Sequence, residues 1–317
     1  MRIIFFGSPA SALPSLEKIL GDGHGVECVF TQPDRPAGRG RKLTPPPVKQ
    51  FALERNIPVV QPEKIRKDQD ALSKIGEIRP ELIVVVAYGQ ILPASIIYLP
   101  KHGAINVHFS LLPKYRGASP VQRAILNGET TTGVTIFRMN EKMDEGDILS
   151  KTPVPIHPNE YAYELEARLA AVGAELLSET IEMIDRLTPE KQDHALATYA
   201  PRLSKEDGKI DWQGGADRVD RLVRACTPWP SAYTFLKGKR VKILGGKVIS
   251  APIPPSRAGN IVAVAPEGIT VSCGRGAYLV EKIQPEGRKP MEAHAFALGA
   301  RIFPGDRFTD EETANRL

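Results

Sequence analysis

An α/β chain is predicted, with a Rossmann-like, mostly parallel sheet in its N-terminal part and a smaller β-rich domain after it. Three observations predict this. Short apolar runs alternate with helix-period segments through the first half of the 317 residues. Residues 82–87 are apolar without interruption between Pro80 and Gly89, as a strand buried on both faces requires. Beyond residue 203, short β-rich segments punctuated by glycine and proline replace the alternation.

Residues 2–6 form a buried strand that ends in the turn Gly7-Ser8-Pro9. Leu13, Leu16, Ile19 and Leu20 then recur at helical spacing. Residues 26–31 read as the second strand, 48–55 as a helix and 58–61 as a short strand. A helix over 68–78, the strand 82–87 and a strand over 104–108 follow. The alternation argues for parallel βαβ units with helices on both faces. Leu165, Leu169, Val172, Leu176, Leu177, Ile181, Ile184 and Leu187 make one stripe of a long amphipathic helix that packs on the sheet. A polar, non-periodic stretch follows, so residues 1–188 read as one domain, 189–202 as a linker and 203–317 as a second domain. In the latter, a helix over 216–225 carries Arg218, Arg221 and Arg224 along one side. Strands over 232–236, 240–244, 260–265, 269–272 and 277–284 suggest a small barrel.

The length suits two domains at about 150 residues each. A net charge of +5 permits an anionic partner without requiring one. The three cysteines, Cys28, Cys226 and Cys273, are far apart and odd in number, so neither a disulfide framework nor a zinc site is expected. No run approaches the ~20 apolar residues of a membrane span, and the N-terminal apolar run is too short for a signal peptide. A cytoplasmic protein is expected, without a membrane and without a metal. The Gly-x-Gly-x-x-Gly pattern is missing after the first strand, which argues against a nicotinamide cofactor.

Asn106 and His108 are two residues apart at the end of a strand, so both face the same way while Val107 faces the sheet's other side. Ligands of open α/β sheets bind beyond the carboxyl ends of strands, where this pair and Ala87-Tyr88-Gly89 lie. An amide and an imidazole side by side can hold an oxyanion, and a carboxylate such as Asp144 can orient the imidazole and accept a proton. The set suits transfer of an acyl-like carbon to an amine. The Asn-x-His spacing alone also fits a hydrogen-bonded pair at a turn. Residues 31–46 form a long irregular connection with Arg35, Arg39, Arg41 and Lys42, whose cations can reach phosphates or simply be solvated.

Asn106-Val107-His108, the run Ser110-Leu111-Leu112-Pro113-Lys114-Tyr115-Arg116-Gly117 and Met143-Asp144-Glu145-Gly146-Asp147 together resemble the motifs of the 10-formyltetrahydrofolate-dependent formyltransferases. The resemblance covers nearly the whole chain and includes Val84-Val85-Val86-Ala87-Tyr88-Gly89 and Gly133-Val134-Thr135-Ile136. The stretch from Phe30 to Gly40 and Pro228-Trp229-Pro230 are similar to the branch whose acceptor is methionine on initiator tRNA. The resemblance implies catalytic roles for Asn106, His108 and Asp144, with no metal. It implies a folate site lined by Ser110, Leu111, Leu112 and Pro113 and by Val86, Tyr88, Ile91 and Leu92; Ile91 and Leu92 fit ordinary core equally well. It further implies that Arg35, Arg39, Arg41 and Lys42 meet the tRNA, that the second domain is an OB-like barrel holding it, and that the enzyme is a monomer serving translation initiation.

Two positions depart from the family pattern. Phe109 stands where relatives usually carry a small residue, and Glu145 replaces a small polar one. A small-amine acceptor, such as a nucleotide sugar or glycinamide ribonucleotide, is the alternative. The basic connection and the second domain argue against it.

Overall fold

The structure, a computed structural model, describes residues 1–37, 42–250 and 256–309. Arg39 and Arg41 lie outside the described residues. The chain forms two compact units. The first comprises Met1–Val121, Thr131–Ile156 and Leu165–Pro201, and the second Gln122–Thr130, His157–Glu164 and the described part of Arg202–Leu317.

The first unit holds β1 (Arg2–Gly7), α1 (Leu13–Gly21), β2 (Gly25–Phe30), β3 (Arg35–Ala37), β4 (Lys42–Thr44), α2 (Pro47–Glu54), β5 (Val59–Val60), α3 (Gln69–Ile78), β6 (Leu82–Val86), α4 (Ala94–Ile97) and β7 (Ala104–His108). Helix α5 is Pro120–Leu126, and β8 (Thr131–Arg138), β9 (Ile148–Pro155) and α6 (Ala162–Glu182) follow. The main sheet runs β5-β2-β1-β6-β7-β8-β9. Its first five strands are parallel, and β8 and β9 add antiparallel pairs. All five residues of β6 are buried, as its unbroken apolar sequence predicts. The Phe6 ring stacks on Phe30 at 4.5 Å and meets the Tyr88 edge at 5.0 Å, so core packing continues to the carboxyl ends of β1 and β2. Helix α3 starts where Asp68 accepts the Ala71 N–H at 3.0 Å.

Two strands of this sheet are not among the predicted elements. β8 is rich in β-branched residues but lacks alternation, since six of its eight residues are buried. β9 contains Pro153 and Pro155, which argue against a central strand; it is the edge strand, where a missing N–H costs no ladder bond. The connection over 31–46 also differs from the irregular expectation, because β3 and β4 pair as a short antiparallel hairpin, Arg35 opposite Thr44 and Pro36 opposite Leu43.

In the second unit α7 is Ala216–Cys226, followed by β10 (Ala232–Leu236), β11 (Lys239–Ile249), β12 (Ile261–Ala265), β13 (Gly268–Ser272), β14 (Ala277–Pro285), β15 (Met291–Glu292), α8 (Ala293–Ala300) and β16 (Phe308–Thr309). These strands make one curled, OB-like antiparallel sheet, β12-β13-β14-β11-β10-β16, with β15 on β14. Register shifts around Gly245 bend β11 across it. Trp212 stacks on Phe308 at 5.7 Å and donates its indole N–H to Thr234 Oγ1 at 2.9 Å, which locks the last strand to the core.

The arginine row on α7 is largely compensated within its own helix: Arg221 pairs with Asp217 at 3.0 Å and Arg224 with Asp220 at 2.7 Å. All three cysteines are free and buried. Burial pushes the Cys226 and Cys273 thiols up to about 12 and moves Cys28 the same way, so none is a reactive thiolate. No described helix is long and apolar enough to cross a membrane.

Candidate active site

The parallel register brings Gly7 beside Val86, and Val85 beside Asn106, so the segments that leave β1, β6 and β7 emerge at one edge of the sheet. Period-two geometry then sorts the residues of β7. A Cβ on Gly173 of α6 would stand 3.0 Å from Val107 Cγ1 and 3.6 Å from Phe109 Cε1, so both of these side chains face the helix. Asn106 and His108 face the other way. Phe109 therefore packs under the sheet and does not narrow the site.

His108 is buried, and its Nε2 lies 2.9 Å from the Tyr115 carbonyl oxygen. A carbonyl can only accept, so Nε2 carries a proton and the neutral ring has its lone pair on Nδ1. That Nδ1 is 3.9 Å from Asp144 Oδ2. The same Asp144 oxygen accepts the Gly117 N–H at 2.7 Å. Asn106 is half-buried, and its side chain has no hydrogen-bond partner among the described residues. The structure thus brings the three predicted groups to one edge: a free amide, an imidazole with an available nitrogen, and an anchored carboxylate.

The turn after β7 is fixed by bonds to residues far away in sequence. Thr135, which is fully buried, donates to the Ser110 carbonyl at 2.7 Å and accepts the Leu112 N–H at 3.1 Å. Ser110 Oγ donates to the Lys114 carbonyl at 2.6 Å, and the residue is buried. Leu112 is buried against Phe137 and Ile148. Leu111 and Pro113 keep partial exposure. Of the four residues predicted to form the other wall, Val86, Tyr88 and Leu92 are buried, the latter two in one core cluster, while Ile91 is 58% exposed. The side chains of Ser110, Leu112, Val86, Tyr88 and Leu92 thus have packing roles. Leu111, Pro113, Ile91 and the exposed Ala87 and Gly89 are what remain open to a flat ring.

Arg35 is exposed and pairs with exposed Glu63 at 3.1 Å, and Lys42 is exposed. At the hairpin's base Lys49 Nζ donates to both Asp34 oxygens at 2.8 Å, and Gln61 adds a bond at 2.9 Å. These bonds, the Lys49 one first, hold the Asp34 carboxyl below its ordinary value.

Sequence reasoning gave no role to the residues that support Asp144: Arg116 stands in the motif run without one, and Gln192 lies in the stretch read as linker. Arg116 is 1% exposed, and its guanidinium meets Gln192 Oε1 at 2.7 and 3.1 Å and Glu145 at 3.3 Å. Gln192 Nε2 donates to the carbonyls of Asp144 at 3.0 Å and Gly146 at 2.7 Å. Thr198 receives the Tyr115 N–H on its hydroxyl at 2.8 Å and the Arg116 N–H on its carbonyl at 2.9 Å. The polar stretch predicted as linker is therefore docked chain. A polar cleft of about 330 Å³ opens beside it, lined by Asn140, Lys142, Glu145, Asp147, Lys191 and His194 among others. Among the described residues no three His, Cys, Asp or Glu side chains are placed to hold a metal.

Comparison with known proteins accounts for both units. Residues 1–181 match the formyl transferase family and residues 202–301 the formyl transferase C-terminal domain. A methionyl-tRNA formyltransferase of Geobacter metallireducens is 48% identical over 97% of this chain and 98% of its own. That of Bacillus subtilis is 44% identical over 96% of each chain. Among solved structures, an N-formyltransferase from Helicobacter canadensis in complex with folinic acid and dTDP-3-aminofucose superposes with a TM-score of 0.66. It is 21% identical and covers 89% of this chain and 98% of its own, a likeness of fold. HypX from Aquifex aeolicus, in complex with tetrahydrofolic acid, superposes at 0.64 with 17% identity over 94% of this chain and 47% of its own. The chain belongs to the formyl transferase family, with methionyl-tRNA formyltransferases as full-length relatives.

Proposed function

We propose that this protein formylates the amino group of methionine esterified to initiator tRNA, with 10-formyltetrahydrofolate as donor. The observation that carries it is the 48% identity, across both units, to a protein named methionyl-tRNA formyltransferase. It would act in the cytoplasm as a monomer, with the first unit holding the folate and the second the tRNA.

The donor supplies a formyl carbon already activated for attack. Exposed Ile91, with exposed Ala87 and Gly89 in the same segment, offers a landing for its flat ring. Asn106, whose amide is free, donates to the formyl oxygen as negative charge develops there. His108 faces the same side, and its Nδ1 is the nitrogen left for proton transfer because Nε2 is held by Tyr115. Asp144 stabilises the ring when it is protonated. The bond that forms joins the methionine nitrogen to the formyl carbon, and the bond that breaks joins that carbon to the folate nitrogen. The proton lost by the amine ends on the folate nitrogen, and His108 and Asp144 are placed to carry it. No covalent enzyme intermediate is required.

The test is formyl transfer to methionine charged on initiator tRNA, beside methionine on elongator tRNA and an amino sugar nucleotide. Transfer selective for the initiator supports the proposal. Transfer to the sugar amine alone would sink it and move the acceptor to a small molecule.

A further inference from the structure

Asp144 occupies left-handed backbone, with φ at +54°, a conformation that a residue with a side chain keeps only where its surroundings impose it. Three features impose it here. A Cβ at Gly146 would run into the Arg138 carbonyl, so the chain passes too close to β8 for any other residue. Gly117 N–H grips the Asp144 carboxylate from one side at 2.7 Å. Gln192 grips the backbone from the other, donating to the carbonyls of Asp144 and Gly146 at 3.0 and 2.7 Å.

Which end of the Gln192 amide faces the loop is decided by Arg116. Its Nε and Nη2 can only donate, and both meet Oε1, so the NH2 end has to point at the two carbonyls. Arg116 cannot move aside, because it is 1% exposed and its backbone is bonded to Thr198 and Ala200. Glu145 at 3.3 Å supplies the countercharge that a buried guanidinium needs. We infer that Gln192 is a positioning residue for the reaction: oriented by buried Arg116, it holds Asp144 within reach of His108. The inference rests on Asp144 serving the proposed formyl transfer. Gln192 touches neither reacting group and acts through the loop.

The purely architectural alternative is that Gln192 serves only to satisfy Arg116. Gln192→Glu separates the two. The carboxylate keeps the shape and strengthens the bond to Arg116, but turns an oxygen toward two carbonyl oxygens in place of the NH2 donor. With Gln192 as the positioning residue, kcat for formyl transfer falls about 10- to 100-fold, since a misplacement of this kind can cost that much. KM for donor and for methionyl-tRNA stays within about 2-fold. Asp144→Ala combined with Gln192→Glu is no slower than Asp144→Ala alone. Wild-type kcat in folded Gln192→Glu, with Asp144→Ala impaired, overturns the positioning role. Wild-type kcat in Asp144→Ala instead overturns the role of Asp144 itself. Should the Glu variant fold poorly, Gln192→Asn withdraws the NH2 group by one methylene without adding charge. The same loss of kcat at unchanged KM is expected, and wild-type kcat again refutes the inference.

Discussion

Residues 109–117 follow β7 and residues 31–46 follow β2, so both segments leave the same edge of the parallel sheet. They are held in opposite ways. The segment after β7 is tied along its whole length, by Thr135 at Ser110 and Leu112, by Thr198 at Tyr115 and Arg116, and by Asp144 at Gly117. The segment after β2 is tied at its root, where Ser8 Oγ accepts the Gln32 N–H and Lys49 and Gln61 hold Asp34. Beyond the root, Arg35, Pro36, Lys42, Leu43 and Thr44 are exposed. Transition-state donors have to be in place before the charge develops, so a turn that supports them gains from rigidity. Cations that meet phosphates work through long-range attraction and gain from exposure. The contrast matches the proposed division between chemistry and RNA contact.

The largest expected effect lies on the rigid side. Asn106→Ala or His108→Ala should each lower kcat by about 100- to 1000-fold, the usual cost of one oxyanion donor or proton-transfer group. KM for methionyl-tRNA should change little. Steady-state formyl transfer with purified variants measures this. A fall of less than tenfold in both variants would remove the chemistry from this edge and leave the comparison without one of its halves.

The next effect tests rigidity itself. Thr135→Val keeps the shape of a fully buried side chain but deprives the Leu112 N–H and the Ser110 carbonyl of their partner. Buried polar groups left unpaired cost about 1–3 kcal/mol each, so urea denaturation should show a stability loss in that range or somewhat above it. Activity below the melting range should fall as well, because Tyr115 and His108 share the turn. A variant as stable as the wild type would mean that the bonds of residues 109–117 are dispensable.

These features were unequally legible in the sequence. Asn106 and His108 could be read directly, because a period-two strand fixes which residues share a face. The five parallel strands followed from apolar runs and their breakers. Asp144 was found through the family motif, since nothing in its local pattern says that its backbone is left-handed. Arg116 stands in the motif run but with no role legible there, and Gln192 could not be read at all: their bond spans 76 positions, and a polar residue in a polar stretch gives no sign that it is buried. The expected folate wall is less legible for a related reason. Val86, Tyr88 and Leu92 are apolar in either role, and burial distinguishes them from Ile91 only once the chain is folded. The second unit's share of Gln122–Thr130 and His157–Glu164 likewise depends on contacts between distant segments.

The smallest effect lies on the exposed side. Arg35 loses little on replacement, because its pair with Glu63 joins two side chains that are 62% and 72% exposed. Lys42 is exposed as well. Arg35→Ala with Lys42→Ala should therefore leave thermal stability and kcat near wild type. If the hairpin meets tRNA, the double variant should raise KM for methionyl-tRNA several-fold. Each phosphate contact contributes roughly one unit to the slope of log affinity against log salt, so the double variant should flatten that slope by about 1 to 2. The slope is the more discriminating readout. A change in KM alone could come from a disturbed hairpin, whereas a flatter slope requires that ions once displaced by these two cations are no longer released. An unchanged slope would place the RNA elsewhere, and the openness of this hairpin would then have no connection with the rigidity of the turn after β7.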